Sequence, residues 1–199
     1  SSRTAQELGG AEEKGRLAMF YIGEPVTVAG YGNINSGEFN VTRFQAVSFQ
    51  GPLLRACSNG RFQDVVNGNF TCVATASPGD QLFMSFQAES VTGAPQGALT
   101  DCLGQPAPLV AGVPTVANAF SIEPAASGTL ELGCLGNGGP AREALVRDVE
   151  DFKVYFAFDP NSHLQSSSGG SPHTMRPTAL MTATQINALP GATDPPEST

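Results

Sequence analysis

No run of about 18 apolar residues occurs in this 199-residue chain, which excludes a membrane-spanning helix within it. No signal peptide is visible either. The chain as it stands therefore reads as soluble, either whole or as an excised piece of an anchored protein. Basic residues are few, 10 Lys and Arg against 18 Asp and Glu, for a net charge of −8. An acidic surface repels phosphate backbones and excludes nucleic-acid binding through a broad basic face, leaving only a small local patch. No CxxC pair occurs among the four cysteines, and their wide spacing argues against a zinc site. No GxSxG stands at a strand-to-helix turn, and the glycines of "GCLGNGG" fit neither the phosphate loop nor the dinucleotide fingerprint.

Histidine occurs twice, as His163 and His173, both in the Ser/Gly-rich stretch "NSHLQSSSGGSPHTMRP". A catalytic base there would lack rigid positioning, so both read as surface residues. Neither has further metal ligands nearby. Asp159 and Asn161 in "FDPNSH" lack the later ligands and central glycine of a calcium loop, and a turn is the better reading. Asp148, Glu150 and Asp151 form an acidic run beside Arg147 and Lys153. Paired carboxylates can cleave glycosides, but the flanking cations suggest a solvated, self-neutralised edge. The triplets at Asn40 ("NVT") and Asn69 ("NFT") match a glycosylation acceptor, a pattern too short to weigh much. No catalytic group, cofactor site or metal site follows from the residues.

What is present is a composition for strands and turns. Apolar residues make up 40%, enough for a core, and 23 Gly with 15 Pro favour short strands joined by turns. Cys57, Cys72, Cys102 and Cys134 suggest two disulfides and an oxidising compartment. Sequence order suggests Cys57–Cys72 and Cys102–Cys134, although four cysteines permit three pairings. Each loop would add roughly 3–4 kcal/mol by chain entropy.

Along the chain, residues 5–31 open with polar helix formers, and Leu17, Ala18, Tyr21 and Ile22 then recur at helical spacing. Gly9, Gly10, Gly15 and Gly23 weaken this helix by up to about 1 kcal/mol each. Pro25 is expected to kink or restart it, and "AGYGN" to end it. Such a helix needs something to pack against. Strand-like runs follow at 39–49, 81–88, 116–122, 129–134 and 152–158, with the period-two pattern of sheets that bury one face. "LMTATQINAL" fits a short helix or a strand, and the proline-rich end "PGATDPPEST" reads as a frayed tail. The fold class is α+β, an N-terminal amphipathic helix packed on a mainly antiparallel β-sheet.

Three segments carry a resemblance. They are "KGRLAMFYIGEPVTVAGYGN", then "ALTDCLGQP" with "LELGCLGNGG", then "ALVRDVEDFKVYFAFD". In this order they resemble the PilW family of type IV minor pilins, relatives of the J-type minor pseudopilins of type II secretion. The family helix reads like "NGRxALxxLxRDxRxAGYxG" and is followed by "TDCxG", "LxC" and "LVxGVExLxVxYGVD". The match spans roughly residues 10–189. This chain departs from the family in having Gly23-Glu24-Pro25 where Arg-Asp is usual, "FDPNSHLQ" where an acidic loop is common, and no Trp.

The resemblance implies a pilin-like fold. Residues 1–31 are then the C-terminal half of a longer helix whose membrane half is absent, residues 32–189 a β-rich globular domain, and residues 190–199 a polar tail. Leu17, Tyr21 and Ile22 are the expected helix–sheet contacts. The resemblance further implies a non-enzymatic subunit of a tip complex that primes pilus assembly and supports adhesion, motility or DNA uptake. Its partners would be other minor pilins, a tip adhesin and the major pilin, with no nucleic acid and no cofactor. It would lie in the inner membrane facing the periplasm before assembly and outside the cell afterwards. Tyr31 and the loop after it are expected near a subunit junction. The alternatives are a minor pseudopilin of type II secretion, a secreted binding module, and a hydrolase using Asp148, Glu150 or a serine.

Overall fold

The computed structural model describes residues 2–29, 54–65, 69–87, 100–110, 113–137, 141–158 and 177–188. Along the chain these form α1 (Ser2–Val28), β1 (Leu54–Cys57), β2 (Gly60–Asp64), β3 (Asn69–Ala74), β4 (Gln81–Gln87), β5 (Leu109–Val110), β6 (Val113–Pro124), β7 (Leu130–Leu135), β8 (Glu143–Arg147), β9 (Phe156–Phe158), β10 (Ala179–Met181) and α2 (Ala183–Asn187). The expected strand at 39–49 lies outside the described residues, as do the loop carrying both histidines and the tail 190–199. The chain divides into two compact units, Ser1–Phe152 and Lys153–Thr199. The class is α+β, an N-terminal helix with a mainly antiparallel sheet. Among the described residues no helix is long and apolar enough to cross a membrane.

In the first unit the main sheet runs in the order β1-β4-β6-β7-β8, with β5 added along β6, and every pair is antiparallel. The ladder between β4 and β6 extends from Gln81↔Ser121 to Gln87↔Thr115. Because side chains alternate, this register puts Leu82, Met84 and Phe86 on one face with Phe120, Asn118 and Val116. Cys134 and Leu132 of β7 and Val146 of β8 continue that face. Met84, Val116, Phe120 and Ile122 are completely buried, and each such side chain stabilises the fold by roughly 1.5–3 kcal/mol.

Helix α1 lies against β8 and β4, and Val28 packs on the cluster of Phe86, Ala107 and Val116. Of the expected contacts, Ile22 is buried and Tyr21 half-buried, whereas Leu17 is 42% exposed. The covered stripe runs through Lys14, Ala18, Tyr21, Ile22, Pro25 and Val28, and Leu17 sits on its flank. The helix does not restart at Pro25 but continues to Val28. Proline there removes one donor a single turn from the helix end, where few bonds remain to be lost. Thr27 Oγ1 donates to the Glu24 carbonyl at 2.7 Å in that last turn.

The opposite face of the sheet is also covered, which departs from the single buried face that the alternation suggested. The β2–β3 hairpin lies over it, and Phe62 joins Cys57, Phe83 and Ala119 in a second core with Phe70 and Leu135 against it. Phe70 meets the Phe62 ring edge-on at 5.5 Å and the Phe83 ring at 4.7 Å. Gln81 and Ser85 look solvent-facing by type yet are buried. The Gln81 Oε1 accepts the Phe62 backbone N–H at 2.7 Å, so the polar atom is satisfied by the hairpin that hides it.

The second unit is small. β9 pairs with β10 from Met181↔Phe156 to Ala179↔Phe158. The segment 152–155 keeps the expected alternation of exposure but joins no ladder. "LMTATQINAL" holds both of its possible structures in turn, β10 and then α2. Thr182 stops the strand and starts the helix with a reciprocal cap: Gln185 N–H donates to Thr182 Oγ1 at 3.3 Å, and Thr182 N–H to Gln185 Oε1 at 2.8 Å.

Nothing lies within 4 Å of a Cβ built at Gly15. Gly15→Ala is therefore expected to stabilise the protein by about 0.5–1 kcal/mol, raising Tm by a few degrees in thermal unfolding followed by circular dichroism.

Candidate functional site

Among the described residues of the first unit three polar assemblies stand out, and each is built into the scaffold. The first is a clasp. The loop that contains "TDCLGQP" folds back through a Thr100↔Pro106 bridge and a tight turn with Gly104 at φ 75°. The buried Asp101 carboxylate holds it: Oδ1 accepts the N–H groups of Leu103 at 2.9 Å and Gln105 at 2.8 Å, and Oδ2 accepts Asn137 N–H at 2.8 Å. Asn137 in turn accepts Ala117 N–H at 2.7 Å and donates to the Pro106 carbonyl at 3.2 Å. Buried Asn118 accepts Cys102 N–H at 2.8 Å. Cys102 is bonded to Cys134 on β7, which closes the clasp covalently. A Cβ at Gly136 would collide with the Asp101 carboxylate, so the second half of the motif, "GCLGN", needs a glycine there.

The second assembly ties the hairpin and the start of β8 to the sheet. The Arg61 guanidinium donates to the carbonyls of Gly60 at 2.8 Å and Gly79 at 3.3 Å, and also to that of Ile122. Arg142 donates to the Ser121 carbonyl at 3.1 Å and to that of Glu131. Its guanidinium crosses over Gly133, where a Cβ would lie 2.5 Å from the Arg142 Cζ. Glu123 sits between the two arginines, with Oε1 3.9 Å from Arg61 Nε and 3.7 Å from Arg142 Nε. Burial strips water from both guanidiniums and pulls each below its ordinary pKa, and the Glu123 charge opposes this. Next to this cluster Cys57 is bonded to Cys72, joining β1 of the main sheet to β3 of the hairpin.

The third assembly joins α1 to the sheet. Lys14 Nζ donates to Asp148 Oδ2 at 2.7 Å. Asp148 sits at φ 57°, a left-handed conformation that swings its side chain out of line with β8. The acidic run is thus neutralised in part by the helix, while Arg147 pairs with Glu131 at 3.3 Å. The hydrogen bond and charge of Lys14 hold the Asp148 carboxyl below its ordinary value of 3.8.

Asp148, Glu150 and Asp151 are all exposed, and they define no enclosed site. Among the described residues no group of three or more His, Cys, Asp or Glu could hold a metal ion. His163, His173, Asp159, Asn161, Tyr31 and Asn40 lie outside the described residues. An open notch on α1 is lined by Gly9, Glu12, Glu13 and Arg16, with Arg16 bonded to Glu12 at 2.6 Å. Asp101, Asn118 and Asn137 escaped sequence reasoning as polar anchors, although "TDCLG" and "GCLGN" marked their neighbourhood. Arg61, Glu123 and Arg142 gave no signal, because their targets lie far away in sequence. Compared with family models, curated proteins and solved structures, the chain matches none.

Asp101→Asn keeps the shape of the side chain but removes the charge that three N–H groups face. It is expected to cost about 2–3 kcal/mol in urea unfolding, with the clasp still covalently closed. Because the Asp148 pKa is depressed on folding, its contribution is complete above about pH 3.8 and is lost as the pH falls through the lower, folded-state value. Asp148→Asn should therefore flatten the acid side of the stability profile, slightly and less so at high salt, since the pair is exposed.

Proposed function

We propose that this chain is the globular part of a non-enzymatic, PilW-like minor pilin acting in a tip complex that primes type IV pilus assembly. One observation carries the reading. The three segments that bear the resemblance are the ones that fasten helix to sheet and loop to sheet. "KGRLAMFYIGEPVTV" supplies Lys14, Ile22 and Val28, and "RDVEDF" supplies the Asp148 that meets Lys14. "TDCLG" and "LELGCLGN" are joined through Asp101, Asn137 and the Cys102–Cys134 bond. A subunit built as a helix on a sheet would need these contacts to hold the two together.

On this reading the full-length protein is anchored in the inner membrane by an apolar helix continuous with α1, and later leaves the membrane for the filament. Other minor pilins, the major pilin and a tip adhesin are its partners. The net charge of −8 favours partners with basic faces and a salt-dependent association. No cofactor takes part.

The test is deletion of the gene in the bacterium that carries it, with surface filaments counted by electron microscopy and exoprotein secretion measured in parallel. Loss of pili, restored by complementation and by a His163→Ala/His173→Ala variant, is the expected result. Intact pili with blocked secretion would assign the chain to the secretion system instead. Normal pili and normal secretion would sink both and favour a secreted binding module.

A further inference from the structure

The two disulfides sit in unlike surroundings. Cys134 is completely buried on β7, and Cys102 is half-buried in the clasp, where Asn118 accepts its N–H. Cys57 is completely buried as well, but its partner Cys72 is exposed. The position of β3 explains the difference. Phe70 and Cys72 share the face of the hairpin turned to the main sheet, with Thr71 and Val73 on the other. β3 pairs with β2 on one side, and no strand among the described residues pairs with it on the other. Cys72 is therefore open from that edge although it faces inward.

The fastenings of the hairpin are unevenly shared too. Arg61 and the Phe62 N–H, which bond to Gly79, Ile122 and Gln81, belong to β2. So does the link to β1, the short turn through Ser58 and Asn59. β3 is tied to the main sheet by Cys72 and by Phe70, whose ring meets Phe83 and has the Arg55 guanidinium 5.2 Å above it.

We propose that the Cys57–Cys72 bond is a redox-sensitive latch on β3, opened by a dithiol while Cys102–Cys134 stays closed. A thiolate of the dithiol attacks the sulfur of Cys72, and the S–S bond breaks. Cys57 leaves as the thiolate and takes up a proton. The second thiol of the reductant then attacks the mixed disulfide, which releases Cys72 as a thiol and closes the reductant's own disulfide. The protein gains the electron pair that the dithiol loses. β3 then lifts away with Phe70 and uncovers the rings of Phe62 and Phe83, while Arg61 keeps β2 in place and the main sheet stays folded. The reduced chain displays an apolar patch that the oxidised chain hides. This inference does not rest on the minor-pilin reading.

Timed reduction of the intact chain by dithiothreitol in native buffer tests it. Each sample is quenched in acid and unfolded, its free thiols are alkylated, and the labelled peptides are identified by mass spectrometry. Cys57 and Cys72 are expected to be labelled about tenfold faster than Cys102 and Cys134, because reduction follows access. Equal rates, or Cys102–Cys134 opening first, overturn the proposal. Hydrogen exchange then reads the consequence. Residues 69–74 should exchange about tenfold faster in Cys57→Ala/Cys72→Ala than in the wild-type chain, with 81–87 and 115–121 unchanged. If that variant does not fold, the wild-type chain taken at the point where only Cys57–Cys72 is open serves in its place. Unchanged exchange at 69–74 overturns the latch. So does faster exchange throughout the main sheet, since the bond would then hold the whole unit together.

Discussion

The ladder between β4 and β6 is the constraint on which the rest of the first unit depends. Both of its faces are dry, so neither strand can be exposed without uncovering Met84, Val116 and Phe120 on one side or Phe83 and Ala119 on the other. Within the first unit β1, β7 and β8 extend the sheet from that ladder, and the remaining elements cover or fasten it. Helix α1 and the 100–108 loop close one face, and the β2–β3 hairpin closes the other. A small sheet has few residues with which to do this, and short covers bury little area on their own. That explains why each cover is held by more than packing. The loop has Asp101 and a disulfide, the hairpin has Arg61 and a disulfide, and the helix has Lys14 on Asp148.

The buried polar groups follow the same logic. Two carboxylates (Asp80 and Asp101), three amides (Gln81, Asn118 and Asn137) and the guanidiniums of Arg61 and Arg142 lie inside the first unit, a pattern that in a cleft would suggest catalysis. Here they face backbone carbonyls and N–H groups. Asp101 satisfies donors that the turn at Gly104 cannot pair, and Arg61 collects carbonyls where β2 turns away from the sheet. Groups engaged in this way are held in one geometry by the backbone they fasten.

Much of this architecture was legible in the sequence. Leu82, Met84 and Phe86 alternate because one face of β4 is apolar, and Leu130, Leu132 and Cys134 do the same on β7. The N-terminal helix was legible in spite of its glycines because Ala18, Tyr21 and Ile22 keep the period. The second buried face was not, since Gln81 and Ser85 have the side chains of surface residues and only the hairpin above them makes them interior. The resemblance placed Leu17 on the sheet with Tyr21 and Ile22. The covered stripe runs through Ala18, Tyr21 and Ile22, and Leu17 lies on its flank. Interactions such as Arg61 with Ile122 span 61 positions and follow from no local pattern. The α+β class could be read from periodicity, whereas the polar fastenings needed the fold.

The two disulfides also divide the chain for any tension applied along it. They short-circuit stretches of 15 and 32 positions, which cannot lengthen while the bonds last. At roughly 3.5 Å per residue, about 160 Å of contour is withheld. Strand β6 lies inside the longer loop, between Cys102 and Cys134, and β4 lies outside both. A pull along the backbone therefore loads the β4–β6 ladder itself while β6 and β7 remain joined, so the first unit behaves as a knot that can shift its cover but yields little slack.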